Sequence, residues 1–150
     1  MLAVGSRAPE FTLTDQDGRD VSLTDFLNRG RLLLYFYPAD FTPGCTREAC
    51  MIRDLHEELR NGGLVVAGVS PQMPPRHQQF RARHSLPFAL LADPQRTVIR
   101  MYEAEGFFGL RVRRITYLID RDRRIRDAVH ADFRIGVHEQ FIRRALSTQA

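Results

Sequence analysis

The sequence contains no lysine and only two cysteines, Cys45 and Cys50, among its 150 residues. Two cysteines cannot form the disulfide framework of a small secreted domain, and a chain of this size needs none, because it hides about 68–70% of its unfolded surface. Their spacing is poor for a zinc pair, and the five histidines do not form a metal-ligand pattern such as His-Glu-x-x-His. We therefore expect neither a metal nor another cofactor.

Long apolar stretches are also missing. No run approaches the roughly 20 apolar residues that cross a bilayer, and residues 1–7 lack the apolar core of a secretory signal, so we expect a cytoplasmic protein without membrane contact. The net charge of +4 comes from arginines that are interleaved with acids, as in residues 120–124. This pattern indicates a solvated surface rather than a nucleic-acid site.

Strands and helices alternate along the chain, which we interpret as one domain covering residues 1–150. Residues 11–14 and 21–23 flank an Asp-Gly turn and predict a hairpin, and the apolar runs 32–37 and 64–69 predict strands that are buried on both faces. These features favour a three-layer α/β sandwich with a mixed central sheet. The other predicted elements are helices at about 24–30, 43–61, 95–102 and 137–146, and strands at 88–91, 112–120 and 125–130. A further helix is predicted to begin at Pro74-Pro75 and to turn Phe80 inward.

Cys45 lies where a buried strand gives way to the long helix. Thr42 is a good N-cap residue, and Pro43 suits the first helical position. Cys45 then falls in the first turn, where unpaired backbone N–H groups and the helix dipole favour a negative charge, so the segment predicts a reactive thiolate. Gly44 leaves space beside the sulfur for a small substrate. The alternative is that Cys45 is simply a small buried apolar residue.

Cys50 does not face Cys45 in an intact helix. Five residues correspond to about 7.5 Å of rise and about 500° of rotation, which leaves the Cα atoms roughly 8–9 Å apart. That separation exceeds the roughly 7 Å limit for a disulfide. If the two thiols react with each other, the start of the helix must unwind, which predicts a cycle with a folded and a locally unfolded conformation.

Several segments resemble those of peroxiredoxins. Pro38, Thr42 and Cys45 match the family's Pro-x-x-x-Thr-x-x-Cys motif, and residues 40–50 resemble its Q-type branch, also called bacterioferritin comigratory proteins, in which the resolving cysteine follows the peroxidatic one by five residues. Residues 5–13, 68–71, 86–93 and 114–120 resemble further family segments in the same order. The resemblance implies a thioredoxin-like fold and a single peroxiredoxin domain over residues 1–150.

The resemblance also implies a function, that of a thioredoxin-dependent peroxidase in antioxidant defence. Cys45 would reduce hydrogen peroxide or an organic hydroperoxide and become a sulfenic acid. Cys50 would then form an intramolecular disulfide with Cys45, and thioredoxin or a similar dithiol would reduce that disulfide. Alternatively, Cys50 is a spectator and an external thiol resolves the sulfenic acid. No cysteine follows Cys50, so an intersubunit disulfide is not expected; a monomer is favoured, and a dimer remains open.

Other roles follow from the same resemblance. The Thr42 hydroxyl would bridge the thiolate and the peroxide, and Pro38 would shield the sulfenic acid. Arg114, the arginine of an Arg-x-x-Tyr match, would stabilise the charge that develops during the attack, although Arg111 and Arg113 lie in the same stretch. Glu48 would support that arginine, unless it is an ordinary exposed helix residue.

Each of three aromatic residues has two alternative roles. Tyr37 is expected to pack beside the site or to serve only as core. Phe107 or Phe108 would form an apolar lip that favours organic hydroperoxides, or they would pack in the core.

Two other classes of protein compete with the peroxidase. A thioredoxin-type oxidoreductase fits the fold, but it normally has two residues between its cysteines. A non-enzymatic redox sensor would use the same cysteine switch to change partners. Insulin reduction without peroxide consumption would favour the first, and peroxide reactivity without sustained turnover would favour the second.

Overall fold

A computed structural model describes residues 1–148. No helix in this part of the chain is both long and apolar enough to cross a bilayer. The elements, in chain order, are β1 (Thr12–Thr14), β2 (Asp20–Ser22), α1 (Leu23–Leu27), β3 (Arg31–Phe36), α2 (Pro43–Asn61), β4 (Leu64–Ser70), α3 (Pro74–His84), β5 (Ala89–Ala92), α4 (Thr97–Met101), a 3₁₀ turn (Phe107–Gly109), β6 (Ile115–Ile119), β7 (Ile125–His130) and α5 (Ile135–Ser147).

The strands form one seven-stranded sheet in the order β2-β1-β5-β4-β3-β6-β7. The three central strands β5, β4 and β3 are parallel, and the remaining pairs are antiparallel. Both predicted hairpins, β1–β2 and β6–β7, are present at the edges. The prediction of a mixed sheet with an N-terminal hairpin is therefore confirmed.

Strand β3 separates two hydrophobic cores, because successive side chains of a strand point to opposite faces. Leu32, Leu34 and Phe36 belong to the core that also contains the buried residues of α1 and α4. Leu33 and Tyr35 belong to a second core, which contains buried apolar residues of α2, α3 and α5. Helices thus cover both faces of the sheet, which confirms the three-layer sandwich.

The predicted strand 112–120 is too long at its start, since β6 begins only at Ile115. The preceding residues bond to the loop after α4 instead of to the sheet: the Arg113 N–H donates to the Ala104 carbonyl at 2.7 Å, and Val112 bridges to Glu105. Residues 112 and 113 therefore pair with the loop after α4 and not with the sheet.

The register of β3 and β6 determines which chain segments meet where these two strands end. The two strands are antiparallel, and Phe36 at the end of β3 pairs with Ile115 at the start of β6. The residue before Ile115 consequently lies at the end of the sheet where β3 leads into α2. Arg114 is thereby brought to the helix start that carries Cys45, although 69 positions separate them in sequence.

Candidate active site

The Cys45 side chain is buried in the first turn of α2, with 2% of its surface exposed. It borders a cavity of about 730 Å³ that is also lined by Pro38, Thr42, Gly44 and Arg114. The cavity connects the sulfur to the surface. A small molecule that enters it can reach a thiol that is otherwise enclosed.

Arg114 directs its guanidinium at the sulfur. Its Nη2 donates to Cys45 Sγ at 3.3 Å, its Nη1 donates to Glu48 Oε1 at 2.7 Å, and its Nε donates to the Asp132 carbonyl at 3.1 Å. Burial lowers the pKa of Arg114, but the negative charges of Glu48 and Cys45 outweigh burial and raise it. The group is therefore a fixed cation beside the sulfur.

The neighbouring arginines have a different position. Arg111 and Arg113 line the same cavity, but neither donates to Cys45 Sγ. The Arg113 guanidinium instead lies 5.7 Å from the centre of the Phe107 ring. Of the three arginines in this stretch, Arg114 alone is bonded to the sulfur.

Glu48 is completely buried, so its interpretation as an ordinary exposed helix residue is wrong. Burial raises the pKa of its carboxyl to about 7, against the opposing effect of Arg114. Only Oε1 has a hydrogen bond; Oε2 has none and lies 3.6 Å from His138 Nδ1. Glu48 thus holds Arg114 with one oxygen and faces a histidine with the other.

His138 and Thr116 complete this buried cluster, and the sequence analysis did not identify them. His138 Nε2 lies 2.8 Å from the Ala131 carbonyl, which can only accept, so Nε2 carries the hydrogen. Nδ1 then accepts from the Thr116 hydroxyl at 2.8 Å. Burial lowers the pKa of His138, which favours this neutral form. A polar residue on the apolar stripe of α5 was the available sequence signal.

Thr42 occupies the N-cap position of α2, but the expected capping hydrogen bond is absent. Its hydroxyl donates to the Ala39 carbonyl at 2.9 Å instead, so it does not occupy the free N–H groups of the first turn. The hydroxyl oxygen retains lone pairs that can accept a further hydrogen bond. Thr42 therefore lines the cavity but makes no capping hydrogen bond to the helix.

Tyr37 and Cys50 lie apart from the cavity lining. The Tyr37 ring is buried against Tyr35, with centroids 5.3 Å apart, and its hydroxyl donates to Asp40 Oδ1 at 2.6 Å. Cys50 is half-buried, and both cysteines are free thiols within one continuous helix. The structure therefore does not bring Cys45 and Cys50 together.

Phe107 and Phe108 line the cavity and are 81% and 94% exposed, respectively, so their interpretation as core residues is wrong. They lie in the 3₁₀ turn, and Leu110 and Phe133 extend the exposed apolar surface around the opening. These four apolar residues therefore form a rim around the polar floor of the cavity, which is made by Cys45 and Arg114.

Among residues 1–148, no group of three or more His, Cys, Asp or Glu side chains is arranged to hold a metal ion.

The chain is similar to known proteins in both sequence and fold. A sequence model of the AhpC/TSA family covers residues 4–128. The chain is 43% identical over 122 residues to the chloroplastic peroxiredoxin Q of Oryza sativa subsp. japonica, covering 81% of the chain but only 56% of the rice protein's length. It is 40% identical to peroxiredoxin Bcp of Escherichia coli over 94% of the chain and 93% of that protein. The crystal structure of peroxidoxin BcpB from Mycobacterium tuberculosis superimposes with a TM-score of 0.91, at 32% identity and 97% coverage of both chains.

Proposed function

The chain belongs to the AhpC/TSA family and to its peroxiredoxins of the Q/Bcp group, and we propose that it is a thiol-dependent peroxidase in which Cys45 attacks the substrate. One observation carries the proposal: the buried Cys45 sulfur borders an open cavity and accepts a hydrogen bond from a guanidinium that Glu48 holds in place. A cation fixed beside a sulfur favours the thiolate, the nucleophilic form of cysteine.

The first step is the attack of the Cys45 thiolate on the terminal oxygen of a hydroperoxide. A sulfur–oxygen bond forms as the oxygen–oxygen bond breaks, and the leaving oxygen takes up a proton to become water or an alcohol. Sulfur is oxidised to a sulfenic acid, and the peroxide is reduced. Arg114 stabilises the negative charge that spreads over the reacting atoms, because a preorganised donor needs no reorientation during the reaction.

Pro38, Thr42 and the start of α2 complete the proposed site. The free N–H groups of the first turn of α2 are available to the peroxide oxygens, since the Thr42 side chain does not cap them. The Thr42 hydroxyl bridges sulfur and substrate, and Pro38 limits the access of water to the sulfenic acid. Gly44 keeps this approach open: a Cβ at that position would lie 3.2 Å from Arg114 Nη2.

Cys50 is the proposed resolving cysteine. Its sulfur attacks the Cys45 sulfenic acid, a disulfide forms, and water leaves; a thioredoxin-like dithiol then reduces the disulfide and becomes oxidised itself. Because both cysteines belong to one continuous helix, the first turns of α2 must unwind before this second step. We propose that the enzyme acts in this way as a cytoplasmic monomer in antioxidant defence, without a nucleic-acid partner.

The substrates are hydrogen peroxide and organic hydroperoxides. The polar floor at Cys45 and Arg114 suits the peroxide group itself, while the apolar rim suits an organic substituent. Phe107 and Phe108 are the residues that we assign to this rim. Their exposure supports the assignment, because a large apolar side chain at a cavity mouth gains by covering an apolar ligand.

The experiment is NADPH oxidation coupled through thioredoxin reductase and thioredoxin, with the wild type, Cys45→Ser and Cys50→Ser. We expect Cys45→Ser to be inactive and Cys50→Ser to form sulfenic acid once and then stall. Full turnover by Cys45→Ser would contradict the proposal. Insulin reduction without peroxide consumption would instead indicate a thioredoxin-type oxidoreductase, and peroxide reactivity of the wild type without turnover would indicate a redox sensor.

A further inference from the structure

The segment between β3 and α2 is anchored to α3 by a buried carboxylate. Asp40 is 2% exposed, and its Oδ2 lies 2.5 Å from Nδ1 of His77, a residue of α3 that is completely buried. The other carboxylate oxygen, Oδ1, accepts from the Tyr37 hydroxyl at 2.6 Å. This carboxylate therefore ties the residues just before the reactive helix turn to a separate helix.

The hydrogen positions on His77 follow from its partners. Nε2 lies 3.1 Å from the Leu91 carbonyl and 3.4 Å from the Ser70 hydroxyl. Because a carbonyl oxygen can only accept, Nε2 carries a hydrogen, and a second proton lies between Nδ1 and the Asp40 carboxylate. A pair of this kind, shielded from water, resists separation much more strongly than an exposed one, since removing one partner leaves the other buried and unpaired.

Three further contacts hold the same segment. The Asp40 N–H donates to Gln72 Oε1 at 2.5 Å. Phe41 has φ +66°, a left-handed conformation that is unfavourable for a bulky side chain, so surrounding contacts must maintain it. Its ring packs against Phe80 of α3, with centroids 5.1 Å apart, and the Arg76 guanidinium lies 4.4 Å from its centre. The entry into α2 is thus held from α3.

We infer that Asp40 and His77 are positioning residues that hold the first turn of α2 in its folded conformation and thereby oppose formation of the Cys45–Cys50 disulfide. The inference rests on the proposed function and goes beyond it. Thr42 supplies no capping hydrogen bond, so the helix start depends on contacts made by the preceding residues. The contacts that Asp40 makes with α3 and Tyr37 are buried and strong, and they fix the direction in which the chain enters the helix.

The strength of the contact between Asp40 and His77, called the anchor below, determines which product the Cys45 sulfenic acid forms. In the unwound turn, the Cys50 sulfur attacks the Cys45 sulfenic acid, and a disulfide and water form. In the folded turn, a second hydroperoxide transfers an oxygen to the Cys45 sulfenic acid instead, which yields a sulfinic acid and water or an alcohol. A stronger anchor therefore directs more protein to the sulfinic acid, and a weaker one directs more to the disulfide.

The experiment compares Asp40→Ala and Asp40→Asn with the wild type in two measurements. The first is amide hydrogen exchange of residues 43–50 in the reduced protein. The second is the ratio of disulfide to sulfinic acid, determined by mass spectrometry after a pulse of excess hydroperoxide. We expect Asp40→Ala to raise exchange at least about tenfold, the effect of losing one hydrogen bond to a charged group, and to raise the product ratio similarly. Asp40→Asn, which can still accept from Tyr37, should change both less.

Asp15→Ala is the matched control. Asp15 is also a buried carboxylate, but it accepts from the N–H groups of Asp17 and Arg19 in the β1–β2 turn. Its removal should destabilise the protein without changing exchange in residues 43–50 or the product ratio. A change in both measurements for Asp15→Ala that equals the change for Asp40→Ala would mean that general destabilisation, and not the anchor, is responsible, and would overturn the inference.

Wild-type exchange and a wild-type product ratio in Asp40→Ala would also overturn it. If Asp40→Ala does not fold, Gln72→Ala replaces it, because this change removes only the acceptor of the Asp40 N–H. It should raise both hydrogen exchange and the product ratio, by less than Asp40→Ala. Wild-type values of both in Gln72→Ala would overturn the inference. Failure of the proposed function is distinguishable, since the wild type would then form neither product with hydroperoxide, whereas hydrogen exchange would still report on the anchor.

Discussion

Replacing Glu48 with glutamine should change how the stability of the protein depends on pH. The carboxyl is completely buried, and burial raises its pKa from an ordinary 4.5 to about 7. Glutamine has nearly the same shape and keeps an oxygen that can accept from Arg114 Nη1. The substitution therefore removes the titration while it preserves most of the packing.

The direction and size of the effect follow from proton linkage. Because the pKa of the folded state lies above that of the unfolded chain, the folded protein binds more protons between about pH 4.5 and pH 7. The contribution of Glu48 to the free energy of unfolding is fully present below pH 4.5 and is lost as the pH rises through about 7, and the loss amounts to about 3 kcal/mol. Glutamine at this position undergoes no such loss.

Urea denaturation at several pH values between 4.5 and 8, analysed by linear extrapolation, measures this difference. Both proteins should carry Cys45→Ser, so that the thiol does not contribute to the titration. We expect the free energy of unfolding of Glu48→Gln, relative to the Glu48 protein, to increase by about 3 kcal/mol across this range. Glu139→Gln, which removes an exposed carboxylate paired with Arg143 at 3.1 Å, is the control and should cause little change.

Two results would contradict a raised pKa of Glu48 in the folded protein. A difference between Glu48→Gln and the Glu48 protein that stays constant with pH would mean that folding does not change the proton affinity of Glu48. A difference that decreases as the pH rises would mean that the hydrogen bond from Arg114 outweighs burial and that the carboxylate is the stable buried form.

Three further predictions concern the reaction with hydroperoxide. Arg114→Met should lower the second-order rate constant of sulfenic acid formation, measured by stopped flow, by about 10²–10³-fold, because it removes a donor directed at the reacting atoms; an equal loss in Arg113→Met would contradict that role. Gly44→Ala should slow the same step roughly tenfold or more, since the new Cβ would lie 3.2 Å from Arg114 Nη2 and displace the guanidinium; an unchanged rate constant would show that the cluster adapts. Phe108→Ala should lower the ratio of cumene hydroperoxide to hydrogen peroxide activity by about tenfold, equivalent to about 1.4 kcal/mol of apolar contact. An unchanged ratio would show that Phe108 is not part of the apolar rim that contacts the substrate.

The conformation of the segment around Cys45 could be predicted from the sequence because it depends on adjacent residues. Thr42, Pro43 and Gly44 are adjacent to Cys45, and each has a backbone preference that can be read without knowledge of the rest of the chain. The helix from Pro43 to Asn61 accordingly has the predicted bounds. The family resemblance added Arg114 and Glu48, which no local pattern connects with the cysteine.

Other parts of the site could not be predicted in this way. The capping bond expected from Thr42 is absent because its hydroxyl bonds to Ala39 instead, a choice that depends on the detailed path of the loop. Asp40 and His77 are separated by 37 positions, and nothing in the sequence around either residue indicates the other. Phe107 and Phe108 are apolar and were as compatible with a core as with a surface, since the sequence does not reveal which apolar side chains remain uncovered.

The strand and helix pattern, the layered α/β architecture and the helix start that carries Cys45 could be predicted from the sequence, because periodicity, turn residues and helix-end preferences act between near neighbours. Which distant groups surround that helix start depends on the folded chain. The pairing of Phe36 with Ile115 brings Arg114 to the sulfur, and the packing of α3 and α5 buries His77 and His138 against Asp40 and Glu48. Burial shifts the pKa of Glu48 upward and that of His138 downward, and burial is a property of the assembled fold, not of any one segment.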